Sequence, residues 1–242
     1  MTISLTHEDK IAVLDLGDDE NRFSPEFLDE MDAHLDELVG SGAQGLVTTG
    51  GAKFYSNGLD LDWLTAHGDQ MPWYVGRVQS MLARFLTLPV PTAAAVVGHA
   101  FGAGAMLALA HDFRVMRSDR GFFCFPEVDI RIPFTPGMAA LIQAKLTPPA
   151  AVASMTTGRR FGGDDAVALG IVDAVAGEGA VTGAAVDILR PLNGKDPGTL
   201  GAIKQTMFGA AAQSLTASTQ EDRKSTRLNS SHPSISRMPS SA

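Results

Sequence analysis

Cysteine is almost missing from this chain. Cys124 stands alone, which excludes an intrachain disulfide and a cysteine-rich metal cluster. No run of about eighteen apolar residues occurs, so nothing predicts a membrane span. The first residues, Met1 to Asp9, lack the basic and apolar regions of a secretory signal, and a cytoplasmic protein is expected. Bases are outnumbered, 19 Lys and Arg against 27 Asp and Glu, for a net charge of −8. Four of those bases, Arg223, Lys224, Arg227 and Arg237, follow Asp222, so the body of the chain is more acidic still. That balance argues against nucleic acid as a partner. Several catalytic signatures are absent as well: the Gly-x-Ser-x-Gly elbow, the phosphate loop and the His-Glu-x-x-His zinc motif. No metal is expected, and Gly102-Ala-Gly104 lacks the third glycine of a dinucleotide fingerprint.

What is present suits one α/β domain: 242 residues, 45% of them hydrophobic. Ile3 to Thr6 and Ile11 to Leu16 predict a hairpin. Ser24-Pro25 opens a helix whose apolar face carries Phe27, Met31, Leu35 and Leu38, and Gly40-Ser-Gly42 ends it. Gly45 to Thr49 reads as a buried strand. A long helix is predicted from Pro72 to Thr87, and Pro89 and Pro91 stop it. Short strands follow at Phe113 to Met116 and Phe122 to Phe125, then helices at Pro136 to Lys145 and Pro149 to Thr157. Phe161 to Gly170 reads as a turn and short helix, Ile171 to Val175 as a strand, and Ala180 to Leu189 and Thr199 to Leu215 as helices. The strand–helix–strand order favours a mostly parallel sheet. No internal repeat is visible.

The stretch Ala95-Val-Val-Gly-His-Ala-Phe-Gly-Ala-Gly-Ala-Met106 combines a buried strand, a glycine-broken turn and the start of a small-residue helix. Such a helix start presents unpaired N–H groups, which suit a developing negative charge. About one strand later comes Phe125-Pro-Glu-Val-Asp-Ile130. Glu127 lies in a largely apolar segment, where desolvation strengthens a carboxylate as a base. Asp129 competes with it, because an extended segment puts both on one face. His99 and His111 flank the glycine turn and read as structural groups. Asp112 is expected to bond backbone in the next turn.

From Asp222 to Ala242 the composition turns serine-rich and basic, which predicts disorder. This tail resembles the translation of a sequencing-library adapter. Residues 1–221 are therefore expected to form the domain, with its C-terminal helical region truncated, and 222–242 to be a non-native tail.

Three separated motifs carry a family resemblance. Gly98-His-Ala-Phe-Gly-Ala-Gly-Ala-Met-Leu-Ala-Leu-Ala-His-Asp112, Phe54-Tyr-Ser-Asn-Gly-Leu-Asp60 and Phe161-Gly-Gly-Asp-Asp-Ala-Val-Ala-Leu-Gly-Ile-Val-Asp173 resemble the crotonase superfamily of enoyl-CoA hydratases and isomerases. The resemblance runs from Ile3 to about Leu215. It implies an α/β fold, a spiral of repeated ββα units with peripheral C-terminal helices. It also implies an oxyanion hole built from the backbone N–H groups of Leu59 and Ala103. Ser56, Asn57, Gly58, Asp60, Gly102 and Met106 fall in the two motifs that bind the substrate. Arg22 is a candidate phosphate contact by loose analogy. Leu61 to Leu64 and the helix after Pro72 are expected to line the acyl pocket.

Hydratases of this superfamily use two glutamates; here Met106 stands at the first position and Glu127 at the second. Methionine neither activates water nor moves a proton. A double-bond shift needs one base that removes a proton from C2 and returns it at C4. The pattern thus looks most like the short Δ3,Δ2-enoyl-CoA isomerases, with an acyl-CoA thioester as substrate and no cofactor beyond its CoA. Alternatives on the same scaffold are hydration, thioester hydrolysis, or binding of acyl-CoA without catalysis. The resemblance further implies a homotrimer or hexamer, weakened where the C-terminus is truncated.

Overall fold

The computed structural model describes residues 3–229, with side chains over 3–217. A six-stranded sheet runs in the order β1 (Ser4–Glu8), β2 (Ile11–Asp15), β4 (Gly45–Thr49), β7 (Thr92–Val96), β9 (Phe113–Arg117), β11 (Ala174–Ala176). Every pairing in it is parallel except the β1–β2 hairpin at the edge. The predicted hairpin turn shortens to two residues because Asp9 takes a left-handed conformation at φ 55.

Both faces of this sheet are covered, which explains its near-continuous apolar strands. Alternation sends Ile11, Val13, Val47, Ala93, Ala95 and Val115 toward α9 (Val181–Leu189), while Ala12, Leu14, Leu46, Ala94 and Val96 face the larger core. That core includes the buried faces of α1 (Pro25–Ser41) and α3 (Met71–Leu86) and the whole of α4 (Ala103–Ala110). α1 starts where predicted: the Ser24 hydroxyl accepts from Phe27 N at 3.2 Å, and Gly42 closes the helix at φ 75. Every residue of α4 is buried, as a helix apolar on all sides requires.

Four strands of the large sheet each hand the chain to a short strand of a second layer. β2 leads to β3 (Arg22–Phe23), and β4 to β5 (Phe54–Ser56) and β6 (Gly58–Leu59). β7 leads to β8 (His99–Phe101), and β9 to β10 (Phe123–Cys124). The second layer pairs in parallel as β10-β8-β5 and β3-β6. Helices α1, α2 (Leu61–Ala66) with α3, α4, and α5 (Glu127–Ile130) then return the chain. This is the spiral of ββα units that the resemblance implies. The peripheral helices are α6 (Pro136–Lys145), α7 (Pro148–Thr157), α8 (Gly163–Ala168), α9 and α10 (Pro197–Asn229).

Two expectations are corrected. The strand predicted at Ile171 to Val175 moves to Ala174–Ala176, because Ile171 N donates back to Ala166 O at 2.8 Å and turns the chain first. The tail expected to be disordered from Asp222 begins inside α10, so residues 222–229 continue that helix. Extending an established helix one residue at a time is cheap, and the Arg, Lys and Leu of this stretch are good helix formers. The rest of that expectation, for residues 230–242, lies outside the described residues. Among the described residues, no helix is long and apolar enough to cross a membrane.

Candidate active site

The second layer builds a cleft. Gly102 follows β8 in a conformation reserved for glycine, φ 51 and ψ −122, and this bend aims the first turn of α4 outward. Gly102 N donates to Cys124 O at 3.0 Å, which ties the bend to β10 just before Pro126 and Glu127. Gly58, at φ 77, closes the site from the other side. A Cβ there would lie 2.8 Å from the amide nitrogens of Ala103 and Gly104. The glycine thus lets β6 approach the start of α4 without a side chain between them. Ala103 is the first residue of its helix, so its N–H has no intrahelical acceptor.

Leu59, Gly102, Ala103 and Glu127 line one cleft of about 320 Å³, with Arg22, Asn57, Phe101 and Pro126. Leu61, Ile130 and Ile132 also line it. The carboxyl of Glu127 lies against the Gly102 bend, its Oε1 3.5 Å from where a Cβ of residue 102 would stand. Its Oε2 is buried and has no hydrogen-bond partner among the described residues. Desolvation raises this carboxyl well above the usual range, to about 7, against a smaller opposing effect of its own backbone N–H. A group so placed is half ionised near neutrality and a strong base for a carboxylate.

Asp129 does not share the site. The segment is one helical turn and not an extended strand, so residues two apart point to different sides. Its carboxylate packs against Gly158, the left-handed cap of α7. Ser56, Asp60 and Met106 also leave the cleft lining. The Ser56 hydroxyl is buried, donating to Asn21 O at 2.7 Å and accepting from Gly58 N at 3.1 Å. Asp60 caps α2 by accepting from Trp63 N at 3.0 Å. Both shape the loop from within. Met106 sits in the core at 1% exposure, on a helix with no exposed face.

Arg22 reaches the cleft but is already engaged. It pairs with Glu20 and, at 2.6 Å, with Asp62. Asp60 adds a third carboxylate at 4.0 Å, and a phosphate would have to compete with all three. Asn57 is tied to Glu20 by its backbone N–H at 2.8 Å and more weakly by its amide at 3.4 Å. Of the stretch expected from Leu61 to Leu64, only Leu61 and Asp62 line the cleft, Leu64 being in the core, and α3 contributes nothing to its wall. Its Tyr74, however, holds the loop: the hydroxyl accepts from Asp60 N at 2.8 Å and donates to Phe23 O at 2.7 Å. Asn21, at φ 49, donates to Gly17 O and Tyr55 O at 2.9 Å. Sequence reasoning missed both, though a buried Tyr and an Asn in a left-handed turn are the residue types that bridge backbones.

The flanking groups are structural. His111 is fully buried; its Nδ1–H donates to Leu107 O at 2.8 Å, leaving Nε2 to accept from Thr48 at 3.0 Å. Desolvation lowers it to about 3, so it stays neutral. His99 packs among Phe54, Phe101 and Phe122. Asp112 bonds not the next turn but Thr92 N at 2.8 Å and Lys204 at 2.6 Å.

The Enoyl-CoA hydratase/isomerase family model matches residues 6–237. The chain belongs to that family. Enoyl-CoA delta isomerase 3 of Arabidopsis thaliana is 40% identical over 171 residues, 68% of this chain and 72% of its own length. Enoyl-CoA delta isomerase 1, peroxisomal, of the same plant is 37% identical, over 74% of this chain and 77% of its own. A Mycobacterium tuberculosis structure described as an enoyl-CoA isomerase superposes with a TM-score of 0.82 at 26% identity, over 89% of this chain and 95% of that one. Within this enoyl-CoA hydratase/isomerase scaffold, the cleft holds one acid free of an ion pair, Glu127; Asp62 is bound to Arg22.

Proposed function

We propose that the chain is a Δ3,Δ2-enoyl-CoA isomerase. The observation that carries this reading is the half-buried carboxyl of Glu127, one oxygen without a hydrogen-bond partner among the described residues, in a cleft that Leu59 and Ala103 also line. The Glu127 carboxylate removes a proton from C2 of a 3-enoyl-CoA. The resulting dienolate puts its negative charge on the thioester oxygen, where the N–H groups of Leu59 and Ala103 receive it. The protonated Glu127 then delivers the proton to C4, which moves the double bond into conjugation. One acid suffices because the proton leaves and returns on one face.

The reaction is redox-neutral and needs no cofactor beyond the CoA of its substrate. Adding water instead requires a second group to activate it, and neither Met106 nor the ion-paired Asp62 is free to do so. We further propose a cytoplasmic homotrimer or hexamer, although two related plant isomerases are called peroxisomal. Purified protein given a 3-enoyl-CoA should yield the conjugated 2-enoyl product, read by its ultraviolet absorbance. Water adduct and free thiol are followed in parallel. Product as adduct or thiol, with no isomer, would replace this reading; no turnover at all would leave an acyl-CoA-binding protein.

A further inference from the structure

A second cavity, of about 460 Å³, lies beyond the other end of β7 from the cleft and shares no residue with it. Pro91, just before β7, lines this cavity, whereas Gly102 and Ala103, after β8, line the cleft. Its walls are Phe113, Leu192, Leu200, Ile203, Met207 and Phe208. Ile203 and Met207 are 50% and 64% exposed, so α10 leaves this apolar face open. The volume falls in the range of small-molecule sites.

Its charges do not balance. Lys204 is neutralised by Asp112 at 2.6 Å and also donates to Val90 O at 2.7 Å. Arg114, buried behind them, pairs with Asp173 at 3.1 Å. Asp196 at the rim caps α10 by accepting from Thr199 N at 2.8 Å. Lys145 alone has its ammonium over the Phe208 ring, 4.7 Å from the centroid, with no ion pair or hydrogen bond among the described residues. Lys195 and Asp196 stand together at the rim, neither in an ion pair among the described residues, so the surplus charge is that of Lys145. An apolar hollow with a surplus positive charge fits an anion that carries an apolar tail.

We propose that this cavity binds a medium-chain monocarboxylate, with its carboxylate on the Lys145 ammonium and its tail between Phe113 and the exposed face of α10. Burial, aided by Arg114, lowers Lys145 to about 8, so a bound carboxylate relieves a real strain on the charged form. The other groups facing Lys145 are engaged with one another, Asp112 with Lys204 and Arg114 with Asp173. Affinity should therefore fall as the pH rises above 8 and Lys145 loses its proton.

The test is calorimetric titration of the full chain with decanoate at pH 7, with decanol as the neutral match. One site is expected. Lys145→Met and decanol should each weaken binding by about tenfold or more, and Lys145→Arg should restore it. Decanoyl-CoA, whose acyl end carries no free carboxylate, should not displace decanoate. Absence of binding to the natural chain, equal binding to Lys145→Met, or displacement by decanoyl-CoA would each overturn the proposal. None of these readings uses turnover, so the result is independent of the proposed reaction.

Discussion

Replacing Glu127 by Gln should stabilise the protein while it removes the reaction. An exposed glutamate titrates near about 4.3, and burial brings this one to about 7. In the folded state the neutral form is favoured, so the carboxyl destabilises the fold as pH rises above its unfolded value. The full penalty is reached once pH exceeds 7. At pH 8 it amounts to about 3 kcal/mol, an upper value because the side chain keeps some contact with solvent. Glutamine has the same shape and no charge. The difference in unfolding free energy between Glu127→Gln and the parent should thus be near zero at pH 4 and grow toward about 3 kcal/mol at pH 8. Urea denaturation at a series of pH values measures it, and other titrating groups cancel in the comparison. Isomerisation should fall by a factor of about 10³, within the range for a lost general base. In the parent, kcat/KM should rise with pH through a midpoint near 7. A stability difference that does not change between pH 4 and pH 8 would show an ordinary solvated carboxylate, one not tuned to act as the base.

Gly58→Ala would force a Cβ against the Ala103 amide in a left-handed backbone, and kcat should fall by about 10² to 10³, the loss typical of one oxyanion donor. Steady-state kinetics with a 3-enoyl-CoA would separate this from a change in KM. Tyr74→Phe leaves Asp60 N and Phe23 O without their partner; unfolding free energy should drop by about 1–3 kcal/mol, and kcat by ~10- to 100-fold as the loop loosens. Lys204→Ala strands the Asp112 carboxylate that joins α10 to the start of β7, and should destabilise the chain by about 3–5 kcal/mol in a urea melt without altering the catalytic pH profile.

Much of the scaffold was legible because long elements carry their own punctuation. α6 spans Pro136–Lys145 as expected, with Thr135 as its cap, and α1 follows Ser24-Pro25. Of the second layer only β10, inside the strand expected at Phe122 to Phe125, was legible. Its strands are two or three residues long, below the length at which any period shows, and so the ββα repeat left no trace in the sequence. The same shortness misled the comparison of Glu127 with Asp129: four residues of helix look like extended chain until their direction is known.

The motifs located the site, but they could not say which way each side chain turns. Ser56 and Asp60 belong to the loop that forms the cleft, yet both face inward, where Asn21 O and Trp63 N fix the backbone that presents Leu59. Tyr74 acts on that loop from fourteen residues away and reaches Phe23 across fifty-one. No local pattern reports such a pairing, because it depends on where α3 sets Tyr74 between Phe23 and Asp60 once the spiral has closed. This division of labour follows from the chemistry itself. The proposed charge-bearing groups are main-chain amides, so side chains nearby are released to hold the loop. The one side chain asked to move a proton is then one whose buried oxygen the fold leaves without a partner among the described residues.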